Sequence, residues 1–422
     1  MAERTDLFYN TYGHFDEQVL AAIRAETFGR DIGQNSGLTA DEYERFVSWL
    51  ELTPASHVLE VASGSGGPAL YLAEQAGCRV TGIDANESGV ATAARVAADS
   101  NVAQQLSFQL ADANAPLPFD DGAFDALVCI DAMNHFPDRA FVLREWRRVL
   151  RPGGRAVFTD PVLITGPVTN DELALRSSIG LFLFVPPGVN ERLIEDAGLR
   201  LVKQEDATDN AALVSGRWHQ SRQRHRADLL RIEGEERFNS LQQFFDAVHR
   251  LTTERRLSRI VYLAESPDVE IRMAAATDAV AIATVLREAF VEYEAAYTTE
   301  AFAATTPGEQ QIRSRMDEGP VWVAMLDGVT VGTVSVVPRG ESLYVRGMAV
   351  LPAARGQKLG EALLRQVEEF ATAHGFKRLW LSTTPFLSRA IQLYERAGFK
   401  RNDEGPHELC GTPLFTMEKA VT

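Results

Sequence analysis

Cysteine is scarce in this sequence of 422 residues. The three cysteines, Cys78, Cys129 and Cys410, are scattered without the spacing of metal ligands. This scarcity argues against a disulfide framework and a cysteine-based metal site, and it favours a reducing compartment. Long apolar runs are also lacking, since none approaches the roughly 18 residues of a membrane span, and no charged, apolar and small-residue leader opens the chain. We therefore expect a cytoplasmic protein with no membrane partner and no bound metal.

Basic residues are outnumbered by acidic ones. The 42 Lys and Arg residues stand against 58 Asp and Glu residues, which leaves a formal net charge of −16. A surface of this sign repels phosphates, which argues against nucleic acid as a partner. Hydrophobic residues make up 45% of the chain and charged residues 24%, as is typical of a globular protein. The length exceeds that of one ordinary domain, so we expect two domains.

A glycine-rich turn between an apolar strand and a helix organises the first half of the chain. Val58 and Leu59 suit a strand that is covered on both faces. Gly64 and Gly66 in the turn permit a ligand to lie against the main chain. The helix that follows presents unpaired N–H groups toward the turn. Packing alone would also explain glycines at this place, and the turn by itself leaves both interpretations open.

Several downstream segments add to this turn. A second strand ends at Asp84, about 20 residues beyond the glycines, where nucleotide-binding βαβ units place a ribose-binding acid. A helix over 143–150 is expected to stop at Pro152 and Gly153. Further strands are predicted at 106–112, 126–130, 154–160, 199–205 and 258–264. Together, over roughly residues 41–265, these segments resemble the class I S-adenosylmethionine-dependent methyltransferases.

The resemblance implies S-adenosylmethionine as the cofactor of this domain. It also implies contacts for seven residues: Glu60 beside the methionine moiety, Gly64 and Gly66 in close approach, Asp84 on the ribose hydroxyls, Asp112 on the adenine amino group, Ala113 through its backbone N–H, and Ile130 in apolar contact. For Asp112, an ordinary turn or helix N-cap is the alternative.

Asp131 and His135 directly follow the fourth predicted strand, at the sheet edge where acceptors bind in doubly wound folds. A histidine there can remove a proton from an amine or hydroxyl as the methyl group arrives. The two residues are four apart, so on a short helix they would share a face. This spacing resembles the Asp-to-His pair of phosphoethanolamine methyltransferases. We expect both residues to be catalytic, with a purely structural histidine as the alternative.

Two further segments are expected to enclose the acceptor. The first is an N-terminal lid over 1–40, which in this family folds over the cofactor and makes Tyr12 and His14 candidate substrate contacts. Packing within the lid is the alternative for both. The second is a helical insert over 210–256, which resembles that of phosphoethanolamine and sarcosine methyltransferases. Its arginines at 222, 224 and 226 are interpreted as a solvated helix face.

The segment after the fifth strand is mostly apolar and includes Phe182 and Phe184. The tyrosine and lysine residues that grip phosphate in the phosphoethanolamine enzymes are not evident there. We therefore expect an apolar acceptor rather than a phosphorylated one.

A second pattern begins after the short polar link 266–268, which contains a proline. We expect a first domain over 1–266 and a second over 269–422. An alternating hairpin is predicted at 321–326 and 329–337, joined by Asp327 and Gly328. A further strand then runs through Tyr344–Pro352 into a turn that opens a long helix, an arrangement that can hold a pyrophosphate.

These features of the second pattern resemble the GNAT acetyltransferase family. The resemblance implies acetyl-CoA as the cofactor, with main-chain bonds from Met348 and Val350 to the pantetheine arm. Tyr394 matches the tyrosine that protonates the departing CoA thiolate, with simple packing as the alternative. Lys358 departs from the family pattern because it stands where the first glycine is usual. The pyrophosphate loop is expected to consist of Arg355, Gly356, Gln357, Lys358, Leu359 and Gly360.

The predicted fold class is α/β: a Rossmann-like methyltransferase sheet with helices on both faces, followed by a separate α/β GNAT domain. We expect a bifunctional small-molecule tailoring enzyme that methylates an amine or hydroxyl and acetylates an amine. The alternative is a methyltransferase whose GNAT-like half only binds acyl-CoA or dimerises. A macromolecular acceptor is a third option, and self-association into a homodimer stays open.

Overall fold

The computed structural model describes residues 17–355, 357–402, 405 and 407–421. Tyr12, His14 and Gly356, three of the predicted site residues, lie outside the described residues. The chain divides into two compact units, Met1–Ser266 and Pro267–Thr422. No helix within the described ranges has the length and apolar character needed to cross a bilayer.

The first unit is built on a seven-stranded sheet. Its strands are β1 (His57–Val61), β2 (Arg79–Asp84), β3 (Leu106–Leu110), β4 (Phe124–Cys129), β5 (Leu150–Ile164), β6 (Arg200–Asp206) and β7 (Leu257–Glu265). They lie in the order β3-β2-β1-β4-β5-β7-β6. The first five strands are mutually parallel, and β7 runs antiparallel to both β5 and β6. Parallel strands bring their carboxyl ends to one edge, where ligands bind in such sheets.

Helices flank this sheet. Their bounds are α1 (Gln18–Phe28), α2 (Ala40–Ser48), α3 (Gly67–Ala76), α4 (Glu87–Ala98), α5 (Arg139–Val149), α6 (Asn170–Arg176), α7 (Val189–Asp196), α8 (Thr208–Arg224) and α9 (Arg226–Thr253). Successive β1 residues show that the sheet is covered on both faces, because Val58 packs in one hydrophobic cluster and Leu59 in another. Side chains alternate along a strand, so these two clusters lie on opposite faces. The α/β fold class is therefore confirmed.

Two local predictions for this unit were wrong. The helix around Trp146 ends at Val149, and Pro152 and Gly153 lie inside the long strand β5 rather than at a helix stop. The arginines of the helical insert are not one solvated face either. Arg222 is buried and ion-paired with Glu233, because the insert packs on the rest of the unit.

The second unit has its own seven-stranded sheet. Its strands and the adjoining two-stranded ribbon are β8 (Val269–Met273), β9 (Val321–Leu326), β10 (Val329–Arg339), β11 (Ser342–Val350), β12 (Arg378–Thr383), β13 (Lys400–Asn402), β14 (Glu408–Leu409), β15 (Thr412–Pro413) and β16 (Phe415–Ala420). The helices are α10 (Ala279–Phe290), α11 (Thr299–Thr305), α12 (Glu309–Glu318), α13 (Leu359–Ala373) and α14 (Ser388–Arg396). The order in the sheet is β13-β16-β12-β11-β10-β9-β8.

The β9–β10 hairpin forms as predicted. Asp327 and Gly328 have φ angles of 50° and 77°, so both central residues are left-handed, as the favoured two-residue hairpin turn requires.

The central strands β11 and β12 pair in parallel over a short distance only. Their register runs from Ser342 opposite Arg378 to Val345 opposite Leu381. On its other side β11 pairs with β10, and that register shifts between Thr333 and Ser335. The last five residues of β11 therefore extend beyond the described pairing with β12, and a cavity opens there.

Candidate functional site

A cavity of about 690 Å³ opens at the carboxyl edge of the first sheet. The ends of β1, β2 and β4 bring Glu60, Asp84 and Ile130 to its wall, although these residues are up to 70 positions apart in the chain. Most of the cofactor contacts predicted from the sequence line this one cavity: Glu60, Gly64, Asp84, Asp112, Ala113 and Ile130.

Glu60 is buried in this wall. Burial, followed by repulsion from Asp84, raises the pKa of Glu60 to about 8, while a backbone hydrogen bond from Ala69 opposes the shift. Its Oε2 atom is enclosed and has no hydrogen-bond partner. A buried acid with an unsatisfied oxygen needs a donor or a cation to be stable in its ionised form. The environment of Glu60 therefore suits a ligand with a positively charged end.

Asp84 holds the glycine turn in place. Its Oδ2 accepts a hydrogen bond from the backbone N–H of Gly64 at 2.8 Å, and its Oδ1 accepts from the N–H of Asn86 at 2.8 Å. The side chain thus links the end of β2 to the turn after β1. This position at the cavity wall suits acceptance of ligand hydroxyls.

Gly66 is tightly packed and does not line the cavity, so its close approach to the cofactor stays a prediction. Its φ is +78°, and an added Cβ would lie 2.7 Å from the Cβ of Ala93. Any larger residue would therefore displace α4 or strain the turn.

Asp112, which follows strand β3, is exposed and lines the cavity beside the buried Ala113. Its Oδ1 accepts hydrogen bonds from the backbone N–H and the side-chain amide of Asn114, each at 2.9 Å. The local hydrogen bonds of Asp112 are therefore those of an ordinary turn. Asp112 also lines the cavity, and its contact with adenine stays a prediction.

His135 lies at the same cavity, half-buried, at the end of the short 3₁₀ helix Met133–His135. Its Nδ1 lies 2.7 Å from the carbonyl oxygen of Leu181. A carbonyl only accepts, so Nδ1 carries the proton and Nε2 keeps its lone pair. Nε2 lies 3.2 Å from the side-chain amide nitrogen of Asn134, which donates to it. Burial lowers the pKa of His135, which favours this neutral, basic form.

The predicted Asp131–His135 pair on one helix face was wrong. Asp131 precedes the 3₁₀ helix and has a left-handed φ of 52°. Its carboxylate is occupied by Nε of Arg259 at 2.7 Å, Oγ1 of Thr159 at 2.6 Å and the backbone N–H of Gly37 at 2.9 Å. Asp131 lines the cavity, but it anchors the surrounding structure instead of orienting the histidine.

A second part of the cavity was only partly foreseen. Aromatic rings from the segment after α6 and from helices α8 and α9 form one face of it, which we call the aromatic wall: Phe182, Trp218, Phe244 and Phe245. The buried Arg176, the last residue of α6, also lines it. The Phe-rich segment was visible in the sequence, but the burial of a single arginine at a helix end has no local signal.

A separate cavity of about 810 Å³ lies in the second unit, where β11 extends beyond its pairing with β12. Of the residues predicted to bind a cofactor or act in catalysis there, seven line it: Met348, Val350, Arg355, Lys358, Leu359, Gly360 and Tyr394. Gln357 does not line it, and its Oε1 is enclosed without a hydrogen-bond partner. Arg355 is ion-paired with Glu292 at 2.5 Å.

The turn before α13 has the geometry of a glycine position, although a lysine occupies it. Lys358 has a φ of +56° and caps the 15-residue helix α13. Gly360 is closely packed, because an added Cβ would lie 2.9 Å from Cδ2 of Leu393 on α14 and would displace that side chain. The lysine retains its backbone N–H and adds a positive charge beside the helix N-terminus, where anions are favoured.

Tyr394 is buried at the wall of this second cavity. Burial raises its pKa, and Tyr297 and Tyr344 nearby add to the shift. The phenol therefore stays protonated through neutral pH and can donate its proton. In the described part of the chain, no group of three or more His, Cys, Asp or Glu side chains could hold a metal ion.

Relatives of known function match part of this chain. It is 34% identical over 178 residues to the methyltransferase GfsG of Streptomyces halstedii, which covers 41% of this chain and 61% of that protein. It is 31% identical over 180 residues to a sarcosine/dimethylglycine N-methyltransferase of Halorhodospira halochloris, with 42% and 64% covered. The chain thus spans less than two thirds of the length of these relatives.

A solved structure and two family models complete the comparison. The cyclopropane synthase MmaA2 of Mycobacterium tuberculosis shares the fold, with a TM-score of 0.53 and 16% identity over 62% of this chain and 99% of that one. Residues 59–158 match the family model for a methyltransferase domain, and residues 282–399 match that of the GNAT acetyltransferase family. The chain therefore joins a domain of the methyltransferase family to a domain of the GNAT acetyltransferase family.

Proposed function

We propose that the chain is a bifunctional small-molecule tailoring enzyme. Its first domain transfers a methyl group from S-adenosylmethionine to a nitrogen or oxygen, and its second transfers an acetyl group from acetyl-CoA to an amine. The observation that carries this proposal is that each domain has its own cavity at a strand-to-helix turn, lined by the residues that such cofactors require.

The first cavity fits S-adenosylmethionine on two counts. The unsatisfied Oε2 of Glu60 suits the ammonium group of the cofactor's methionine moiety, and Asp84 is placed to accept from ribose hydroxyls. Bound S-adenosylmethionine supplies a methyl group that is activated by its sulfonium. The chain's own contribution is then largely positioning, because the leaving group is already good.

His135 supplies the remaining proton chemistry of the first domain. The Leu181 carbonyl fixes its Nδ1–H tautomer, so Nε2 is the basic nitrogen. Nε2 can take a proton from an amine or hydroxyl at the cavity wall once the acceptor displaces the Asn134 amide that donates to it. The aromatic wall gives the acceptor end an apolar lining, where polar interactions are stronger than in bulk water. The N-methyltransferase among the relatives supports an amine as the acceptor.

The second cavity fits a CoA thioester. The free edge of β11 at Met348 and Val350 suits main-chain bonds to an amide-bearing arm, and Lys358 at the start of α13 suits a pyrophosphate. Bound acetyl-CoA supplies the activated acetyl group. Tyr394 holds a proton that a departing thiolate can accept.

Mass spectrometry tests both activities in one experiment. The full-length protein is incubated with both cofactors and a metabolite extract, and products are searched for the mass of one methyl, one acetyl, or both. Asp84→Ala should slow formation of the methyl product and leave that of the acetyl product unchanged, whereas Tyr394→Phe should slow formation of the acetyl product alone.

Binding of acetyl-CoA without release of CoA in the presence of any amine would reduce the second domain to a binding module. Unchanged formation of both products in the two variants would contradict the proposed sites.

A further inference from the structure

Arg176 is a buried cation that pairs with no acid in the described part of the chain. Its side chain ends α6 at the cavity of the first domain and is only 6% exposed. Its Nη1 atom is enclosed and makes no hydrogen bond. Among the described residues, no carboxylate forms an ion pair with it.

The two acids that interact electrostatically with Arg176, Asp131 and Asp160, already form ion pairs with other arginines. Asp131 is bound by Arg259 at 2.7 Å, and Asp160 is bound by Arg139 at 2.6 Å. Burial lowers the pKa of Arg176 to about 10, and these two acids only partly offset that shift. The guanidinium is therefore still charged at neutral pH.

An unpaired charge in such a place is costly. Removing a cation from water without a counter-ion costs several kcal/mol in proteins, and a structural arginine would be expected to have an acid beside it, as Arg222 has Glu233 in the same domain. Arg176 instead lies over two aromatic rings, 4.4 Å from the centroid of Phe182 and 5.0 Å from that of Phe244. The rings stabilise the cation in part and leave its hydrogen-bonding capacity to a ligand.

The methyl-accepting end is close by. His135 packs edge-on against Phe182, with 4.8 Å between ring centroids, so the histidine and the arginine contact the same ring. A single molecule can then reach both groups. The aromatic wall provides the surface for its apolar body.

We propose that the acceptor of the first domain is an apolar or aromatic carboxylate, whose carboxylate pairs with Arg176 while its amine or hydroxyl faces His135. This inference depends on the proposed methyl transfer in the same cavity. A carboxylate is favoured over a phosphate because one guanidinium balances one negative charge, and the neighbouring Asp131 and Asp160 would repel a dianion.

Calorimetry with matched probes tests whether the cavity prefers a ligand with a carboxylate. The full-length protein is saturated with S-adenosylhomocysteine and titrated with benzoate, 3-phenylpropionate and indole-3-acetate, with the amide of each, and with phenylphosphonate. At least one carboxylate should bind, and it should bind about 10- to 100-fold more tightly than its amide, the effect of one charge-assisted hydrogen-bonded pair. Equal affinity for acid and amide, or tighter binding of the phosphonate, would overturn the proposal.

Two variants assign the effect to one residue. Arg176→Met should remove the preference for the acid over its amide while S-adenosylhomocysteine binds as before. Arg217→Met makes the same chemical change at an exposed position of α8 and should alter neither. Retention of the preference in Arg176→Met would refute the assignment.

Thermal melting without ligand separates a binding role from a structural one. Because no acid among the described residues pairs with the cation, Arg176→Met should melt at the same temperature as the wild type or higher. A lower melting temperature, together with unchanged carboxylate binding, would make Arg176 structural. If no carboxylate bound while S-adenosylhomocysteine did, the acceptor class would be wrong and the methyltransferase proposal would stand.

Discussion

Arg259 donates through Nε to Oδ1 of Asp131 at 2.7 Å, although the two residues are 128 positions apart. Through Nη1 the same guanidinium reaches Oε2 of Glu42 at 2.6 Å. Arg259 and Glu42 are buried, and the side chain of Asp131 is 9% exposed. Burial alone would raise the pKa of Asp131, but the charge and hydrogen bonds of Arg259, with those of Thr159 and Gly37, hold it below its ordinary value. Arg259 thus ties strand β7 to the loop after β4 and to helix α2.

Arg259→Met should therefore leave the carboxylates of Asp131 and Glu42 without their cationic partner. We expect the free energy of unfolding of the first domain to fall by about 3–5 kcal/mol, as in other broken buried pairs. Arg255→Met removes two exposed ion pairs four residues away and should cost no more than about 1 kcal/mol. Urea denaturation measures both. The loss of stability in Arg259→Met should shrink as the pH falls toward about 4, since protonation neutralises a carboxylate that has lost its partner. Equal losses in the two variants would contradict the role of Arg259 in holding these elements together.

Glu60 should release a proton when the cofactor binds. Its pKa of about 8 makes it largely protonated at pH 7, and a cation beside it lowers that pKa. Calorimetry of S-adenosylmethionine binding in buffers of different ionisation enthalpy should show release of roughly one proton at pH 7. At pH 9 the release should disappear because the carboxyl is already ionised. The same release from Glu60→Gln would exclude this residue as its source.

His135 should set the acidic limb of methyl transfer. Because burial lowers its pKa below the ordinary 6.5, the base form persists at pH 7, and the rate should fall only at lower pH. His135→Gln should slow transfer by about 10²- to 10⁴-fold and remove that limb. Its affinity for S-adenosylhomocysteine serves as the control and should not change. A variant with the wild-type rate would assign the histidine to packing.

The sequence predicted those parts of the fold that local patterns determine. The hairpin at Asp327–Gly328 follows from two turn residues and alternating apolar strands, and β1 and β2 follow from the apolar runs that flank the glycine turn. The cofactor residues came together because each ends or follows a strand of one parallel sheet. This rule needs no knowledge of side-chain contacts.

Long-range side-chain pairing could not be predicted in this way. The spacing of Asp131 and His135 suggested a local pair, but the carboxylate is held by an arginine from the last strand of the sheet. A charged residue directly before the apolar run 260–264 of a predicted strand was the available signal for Arg259. Arg176 had no such signal, because its proposed binding role depends on its burial and on the lack of an acid beside it among the described residues.

Lys358 allows strain and charge to be separated in the second domain. A left-handed φ of +56° costs a non-glycine residue about 1–2 kcal/mol. Lys358→Gly should relieve this and raise the melting temperature, whereas Lys358→Ala keeps the strain and should not. Both lose the charge, so both should bind CoA more weakly and with a smaller dependence on salt. Unchanged salt dependence would show that the lysine does not face the phosphates.

Tyr394→Phe should slow acetyl transfer by about 10²-fold or more, because the buried phenol is the proton donor proposed for the thiolate. CoA release with an accepting amine is measured by thiol titration. The variant should still bind CoA and melt within a few degrees of the wild type. Full activity would leave the tyrosine a packing role only.

The four residue pairs that join β11 to β12, from Ser342–Arg378 to Val345–Leu381, also have a mechanical consequence. They are the only described ladder between the strands β8–β11 and the strands β12, β13 and β16, so these two parts of the sheet separate when four residue pairs open. An arm lying along the open end of β11 would act as an additional strand and brace this seam. Amide hydrogens of β11 and β12 should then exchange more slowly with CoA bound, while those of the β9–β10 hairpin remain unaffected.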